Sequence, residues 1–264
     1  MIFDFFGTKK KAVIAMVHLG ALPGTPLYSG GMTKLIDEAA NEAEKLQGGG
    51  VDAVMFGNEN DRPYALTASL EGIAAMTAIV QAVAPGLRIP FGINYLWDPK
   101  ASVAIAQATG AKFVREIFTG VFASDMGLWT PDCAGAVRLR RNLGQSDLKL
   151  LFNINAEFAH PLDSRPIELR ARSAVFSSLA DAILVSGPLT GEPAAGSDLR
   201  KVCAAVAHVP VFANTGVNID NVADVLSVAD GAIVGTHFKI DGQTWNAVDR
   251  ARVKRFMDVV ETLR

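Results

Sequence analysis

Side chains that can carry a proton or a charge recur at the ends of short apolar runs in this sequence. His18 follows the run Ala12–Val17, and Asn58, Glu59 and Asn60 follow Asp52–Phe56. Asn94 and Tyr95 follow Arg88–Ile93, and Arg115 and Glu116 end Lys112–Glu116. Asn153, Asn155 and Glu157 lie about the end of Lys149–Ile154, and Ser186 follows Asp181–Val185. Asn214 and Thr215 follow Pro210–Ala213, and Thr236, His237 and Lys239 follow Gly231–Val234. Such groups are costly to desolvate unless paired, so their accumulation at one end of the runs is informative. Strand alternation turns about half of them outward. Glu59, Glu116 and His18 have the chemistry of general acids and bases. Arg115 could neutralise a developing oxyanion, and Asn94 and Asn155 could orient a substrate. For each of these groups a structural hydrogen bond is an equal reading.

The last two runs carry a second kind of chemistry. Thr215-Gly216-Val217 and Gly235-Thr236 are short Gly-containing turns after strands, with a helix start nearby. Exposed N–H groups in such turns form an anion cradle, so Thr215, Gly216, Val217, Gly235 and Thr236 are expected to hold a phosphate. Lys239 is expected to add a mobile charge beside them. The alternative is that the glycines only permit tight turns and that Lys239 is a solvated loop cation. Other templates fit less well. Ser186-Gly187 is not a G-x-S-x-G elbow, Lys239 is the one strand-end lysine for a Schiff base, and no H-x-H or E-x-x-H spacing supports a metal among Glu59, Glu116 and Glu157. No metal and no cofactor are expected.

These groups must be positioned by the elements around them. The eight apolar runs alternate with longer helical patterns. Near-continuous hydrophobicity is what strands covered on both faces require. Thr33–Gln47 shows the i, i+3, i+4 spacing of a helix before Gly48-Gly49-Gly50. Asp98-Pro99 and Thr130-Pro131 read as caps followed by a first-turn proline. Asn218 reads as the cap of a helix to Ala229, and Asp249–Leu263 as a closing amphipathic helix. Eight such units in about 250 residues predict one (β/α)₈ barrel, residues 1–264, with 1–11 as an N-terminal extension and the active site at the strands' C-terminal ends. No G-x-G-x-x-G follows the first run, which argues against a doubly wound dinucleotide fold. Asp52, Arg88, Lys112, Lys149, Asp181 and Asp230 start the runs and are expected to serve stability at the opposite rim. Two long loops stand out, 118–130 and 187–196; the second has glycines at both ends and reads as a lid. His160 could overhang the site from the loop after the fifth run.

Composition bounds the partners. The 264 residues are 50% hydrophobic and 20% charged with net charge −2. That is too apolar for a disordered chain and lacks the basic excess of a nucleic-acid binder. Cys133 and Cys203 match no zinc or C-x-x-C spacing and read as reduced thiols. No apolar run is long enough to span a membrane. In the first eleven residues the apolar part precedes the cations, the reverse of a secretory signal. A cytoplasmic protein is expected, with Phe3, Phe5 and Phe6 packing on the domain or a second subunit. The Ala-rich stretch Ala65–Ala84 suggests a homo-oligomer as well as ordinary packing on the barrel.

Several stretches taken together resemble one family. They are Met16-Val17-His18-Leu19 through Leu22-Pro23-Gly24, Gly50-Val51-Asp52-Ala53, Ala108–Arg115, Phe118-Thr119-Gly120, Ser186–Pro193, Val234-Gly235-Thr236 and Asp241–Asn246. Over nearly the whole chain they are similar to the BtpA/SgcQ family of barrel enzymes. The resemblance implies a barrel related to phosphate-binding barrels. Its cyanobacterial members are linked to photosystem I biogenesis and other bacterial members to carbohydrate utilisation. Where the family pattern has Lys-His after the fifth strand, this chain has Glu157-Phe158, so an activity built on that pair does not carry over. The expectation is an enzyme moving a proton on a small phosphorylated, sugar-like or nucleoside-derived metabolite, an isomerase or lyase. The alternative is a non-catalytic assembly or biogenesis factor that uses its outer surface.

Overall fold

The Val-, Ile- and Ala-rich runs become strands because both of their faces can be buried without stranding a polar side chain. The computed structural model describes residues 3–6 and 10–264. In chain order its strands are β1 (Ala12–His18), β2 (Ala53–Gly57), β3 (Phe91–Asn94), β4 (Phe113–Glu116), β5 (Phe122–Ser124), β6 (Gly127–Trp129), β7 (Lys149–Asn153), β8 (Ala159–Pro161), β9 (Ala182–Val185), β10 (Val211–Ala213) and β11 (Gly231–Val234). Eight of them pair in parallel as a closed barrel in the order β1-β2-β3-β4-β7-β9-β10-β11. All eight lie on the apolar runs of the sequence. The register pairs Ala15 with both Val54 and Val234, which closes the ring at β1. The fold is therefore a (β/α)₈ barrel.

Alternation along the strands builds two apolar layers. Ile14, Met16, Met55, Phe113, Leu151, Leu184, Phe212 and Ile233 fill the barrel interior, joined by Phe3 and Phe6 from the N-terminal segment. The side chain of Phe5 lies outside the described residues. Val13, Val54, Ile93, Val114, Leu150, Ile183 and Val234 face the helices. Those helices are α1 (Gly31–Gly48), α2 (Leu70–Val83), α3 (Pro99–Thr109), α4 (Cys133–Asn142), α5 (Ile167–Ser178), α6 (Gly196–Ala205), α7 (Val222–Val228) and α8 (Arg250–Glu261). Ala75, Met76, Ile79, Val80 and Val83 of α2 are buried in the helix-facing core, so much of the Ala-rich stretch is used in packing on the barrel.

Asp98 caps α3 as its position predicts, and Asp249 caps α8. Two expected caps move. Asp132, not Thr130, accepts from Gly135 N at the start of α4, because Pro131 is followed by a carboxylate two residues nearer the helix. Asn218 does not cap α7. It shares reciprocal bonds with Asn221, with Asn218 N donating to Asn221 Oδ1 at 2.9 Å, in a turn before the helix. At the strand starts, Asp52, Asp181 and Asp230 accept from Val13 N, Leu150 N and Val211 N at 2.8–2.9 Å. Each carboxylate thus holds the start of a neighbouring strand.

The segment expected as a long loop over 118–130 contains structure. β5 pairs antiparallel with both β6 and β8, opposing Ala123 to Leu128 on one side and to His160 on the other. This small sheet carries an aromatic cluster of Trp97, Phe122 and Trp129 onto the β3–β4 side of the barrel mouth. Among the described residues no helix is long and apolar enough to cross a membrane.

Candidate active site

A cavity of about 440 Å³ opens at the C-terminal ends of the barrel strands. Met16 and Ile233 form its floor, the last apolar layer of the interior. Above them His18, Glu59, Arg115, Glu157 and Asn214 converge from β1, β4, β10 and the loops after β2 and β7. Inward alternation explains Arg115, which lies two residues beyond the interior Phe113.

Arg115 is held from both sides. Its Nη1 donates to Asn94 Oδ1 at 2.6 Å and its Nη2 to Glu157 Oε1 at 2.7 Å, with both ion-pair partners buried. Glu157 also accepts from Thr190 Oγ1 at 3.0 Å, and Asn214 Nδ2 donates to Ser186 Oγ at 2.6 Å beside it. Charge-assisted, two-sided bonding of this kind fixes the plane of a guanidinium.

Glu59 and His18 are bonded less. His18 Nε2 stands 3.8 Å from Glu59 Oε1. Glycines make room for both: a Cβ at Gly57 would lie 2.6 Å from the Glu59 carboxylate, and one at Gly235 would lie 3.0 Å from His18 Nε2. Glu59 Oε2, His18 Nδ1 and Arg115 Nε are buried with no hydrogen-bond partner among the described residues. Burial raises the Glu59 carboxyl to about 7, despite the nearby Arg115. Burial, together with the cations Lys239 and Arg115, holds the His18 imidazole well below its usual range. Near neutral pH the site therefore combines a half-ionised carboxyl, a neutral imidazole and a fixed guanidinium, which is an arrangement for moving protons.

Thr215, Gly216, Val217, Gly235 and Thr236 line the side of the same cavity under β10 and β11. Gly216, at φ +65°, has a second duty. A Cβ there would meet Pro193 N at 2.1 Å, so its bareness lets segment 187–193 pack down. The Thr215 hydroxyl pins that segment, accepting from Gly187 N at 2.5 Å and donating to Glu192 O at 2.7 Å. The expected lid thus lies over the site, with Thr190 and Gly191 on the cavity wall. The three-residue 3₁₀ turn starting at Thr236 leaves its leading N–H groups without intrahelical partners.

Several expected site residues fall elsewhere. Lys239 is not beside the cradle: it is 1% exposed and its Nζ donates to both carboxylate oxygens of Glu42 on α1, at 2.8 and 2.7 Å. A buried ammonium needs a partner, and α1 supplies it. Glu116 does not line the cavity. It turns toward α3 and accepts from Asn94 Nδ2 at 2.6 Å and Ser102 Oγ at 3.2 Å. Asn94 acts through Arg115. Asn155 spans to the end of β9, exchanging bonds with Ser186 N and Ser186 O, and does not line the cavity. His160 is exposed on β8 with Nδ1 on Pro161 O, away from the cavity lining.

The structure also brings in residues to which the sequence alone assigns no role. Glu157 was visible as a strand-end carboxylate, but it sits beyond its strand. Arg252 and Arg255 of α8 reach the cavity beside Gly242 and His237; they flank the buried stripe Val253, Phe256 and Met257. Tyr64, Trp97 and Phe158 form an aromatic wall, which long-range packing alone brings together.

Comparison with known proteins agrees with the fold. The BtpA family profile matches residues 9–262. The chain is 46% identical over 263 residues to the sgc region protein SgcQ of Escherichia coli K12, covering 99% of this chain and 98% of that protein. It is 34% identical over 262 residues to the photosystem I biogenesis protein BtpA of Synechocystis, covering 98% and 91%. Phosphoribosyl anthranilate isomerase from Thermus thermophilus superposes with a TM-score of 0.60 at 11% identity, over 96% of this chain and 100% of that one, a likeness of fold. The chain belongs to the BtpA family.

Proposed function

We propose that this BtpA-family barrel is an enzyme that transfers a proton on a small phosphorylated, sugar-like substrate, as an isomerase or lyase. The observation that carries the reading is Glu59: a buried carboxyl raised to about 7, with one oxygen unpartnered, in a cavity it shares with Arg115 and His18. In this reading ionised Glu59 removes a proton from carbon next to a carbonyl. Negative charge then collects on the carbonyl oxygen, and the guanidinium of Arg115, fixed by Asn94 and Glu157, stabilises it. Glu59, protonated in that step, returns the proton to the product. The substrate phosphate would rest on the N–H groups of Gly216, Val217, Gly235 and Thr236. Arg252 and Arg255 would supply the charge that Lys239, committed to Glu42, does not.

Thermal-shift measurements on pentose and hexose phosphates test the phosphate half directly. A ligand at 100-fold over its Kd stabilises by about 2.7 kcal/mol, a shift well above noise. Absence of any shift with every phosphorylated compound and with inorganic phosphate overturns it.

A second reading draws on the relative whose printed name is a photosystem I biogenesis protein. A scaffold would work through its surface, and α5 presents Leu169 and an 89% exposed Phe176. Complementation of a deletion strain with Glu59→Gln separates the two readings: full rescue favours the scaffold. Self-association, proposed here through such an outer helix, is checked by light scattering.

A further inference from the structure

The cavity is larger and less uniform than a bare sugar phosphate requires. Cavities of about 300–1,000 Å³ bury whole drug-sized ligands, and this one, at about 440 Å³, has chemically distinct sides. Under β10 and β11 lie the turns and arginines already assigned to phosphate. Above the apolar floor, Glu59, Glu157, Arg115 and Asn214 match hydroxyl and carbonyl groups. The remaining side is Tyr64, Leu96, Trp97 and Phe158. It is aromatic, apolar and rigidly backed.

The rigidity has identifiable sources. Trp97 is buried against Trp129 with ring centroids 5.0 Å apart, so the small sheet β5-β6-β8 props the wall from behind. Tyr64 stands edge-on to Trp97 at 5.9 Å and 6.0 Å from Phe158. Its hydroxyl donates to Glu59 O at 2.9 Å, which ties the wall to the acid–base group. Phe158 has φ +58°, a left-handed conformation rare for a bulky residue, and is held there by its N–H on Pro188 O at 3.1 Å. Strain of this kind persists where the surroundings over-determine it, and it clusters at ligand contacts.

The wall's polar capacity is specific. Trp97 Nε1 is buried and has no partner among the described residues. An indole N–H can only donate. The Tyr64 hydroxyl already donates elsewhere. A planar heterocycle offers a π-face to the aromatic rings and ring nitrogens or carbonyl oxygens to the indole.

We infer that the substrate is a sugar phosphate bearing a planar heterocyclic ring, with the ring on the Tyr64–Trp97–Phe158 wall and an acceptor atom of it on the Trp97 indole N–H. This inference rests on the phosphorylated-substrate reading above and narrows it from bare sugar phosphates to nucleotide-like ones.

Calorimetric titration of the full chain with three probes tests it: uridine 5′-monophosphate, ribose 5-phosphate and uridine. Stacking of one base is worth about 1–3 kcal/mol, so the nucleotide is expected to bind about 5- to 150-fold tighter than ribose 5-phosphate. Phe158→Ala should erase that advantage while leaving ribose 5-phosphate unaffected. Trp97→Phe keeps the ring and removes the N–H, and it should take away only part of the advantage. Because Trp97 is buried, Tyr64→Leu tests the stacking part of the advantage at a partly exposed position. Equal affinity for nucleotide and ribose 5-phosphate overturns the ring inference and leaves the phosphate reading standing. Uridine binding as tightly as its monophosphate keeps the ring and overturns the phosphate. No binding by any of the three overturns both.

Discussion

Glu59 and Glu116 share one electrostatic cause, burial, and differ in what they face. Glu59 looks into the cavity and Glu116 toward α3, so only Glu59 can meet a substrate. Replacing Glu59 by Gln should lower turnover by about 10²–10⁴-fold with little change in the folded structure, measured as kcat beside a thermal melt. Since only the ionised form accepts a proton, wild-type kcat/KM should climb as pH rises through about 7. Glu116 has a stability signature instead. Its folded pKa of about 8 lies above the unfolded value near 4.5. The stability it contributes is complete below about 4.5 and is lost as pH rises toward 8. Urea melts at pH 5 and pH 8.5 should therefore differ less in Glu116→Gln than in wild type; an unchanged difference would contradict this assignment. The sequence shows that both carboxylates sit near strand ends. It does not show orientation, because the inward positions depend on where each strand enters the barrel. Glu157 illustrates this: it lies four residues beyond the end of its strand, where alternation no longer reports direction, yet it anchors Arg115.

At the scale of elements, the Glu42–Lys239 pair clamps α1 to the segment after β11, and Glu42 Oε1 also accepts from Val248 N at 3.2 Å. Lys239→Met should destabilise by about 3–5 kcal/mol, because a buried carboxylate loses its partner. Adding Glu42→Gln should restore part of that loss, and phosphate affinity should be unaffected in either variant. Denaturant titration and calorimetry check both statements. A hint was available in α1, where Glu42 lies on the buried side between Ala39 and Leu46; a carboxylate there requires a cation. Segment 187–193 depends on Thr215 in the same way. Thr215→Val removes two hydrogen bonds and should cost about 1–3 kcal/mol, with faster proteolytic cleavage within 187–196. The eight barrel strands were legible because burial on both faces writes itself as an unbroken apolar run. The sheet β5-β6-β8 was not, since three-residue strands carry no readable period and the β5–β8 pairing joins residues more than thirty positions apart.

For the molecule as a whole, the barrel sets a rigid apolar interior beneath polar groups drawn from several strands, and the loops after β2, β3, β7 and β9 build the walls. The end of the barrel at which the cavity opens followed from the sequence through the barrel architecture. The substrate did not, because the aromatic wall and the arginines of α8 come from helices and loops that meet only in the folded chain. The central claim is that Glu59 moves a proton on carbon of a bound phosphorylated compound. Its most direct test is proton NMR in D₂O. The full chain is incubated with the pentose phosphates, hexose phosphates and nucleoside 5′-monophosphates that shift its melting temperature. The account predicts that one carbon-bound hydrogen of a binding compound is lost to deuterium with wild type, and that Glu59→Gln binds the same compound but does not exchange it. Exchange at an undiminished rate in Glu59→Gln, or none with any binding compound, would contradict the account.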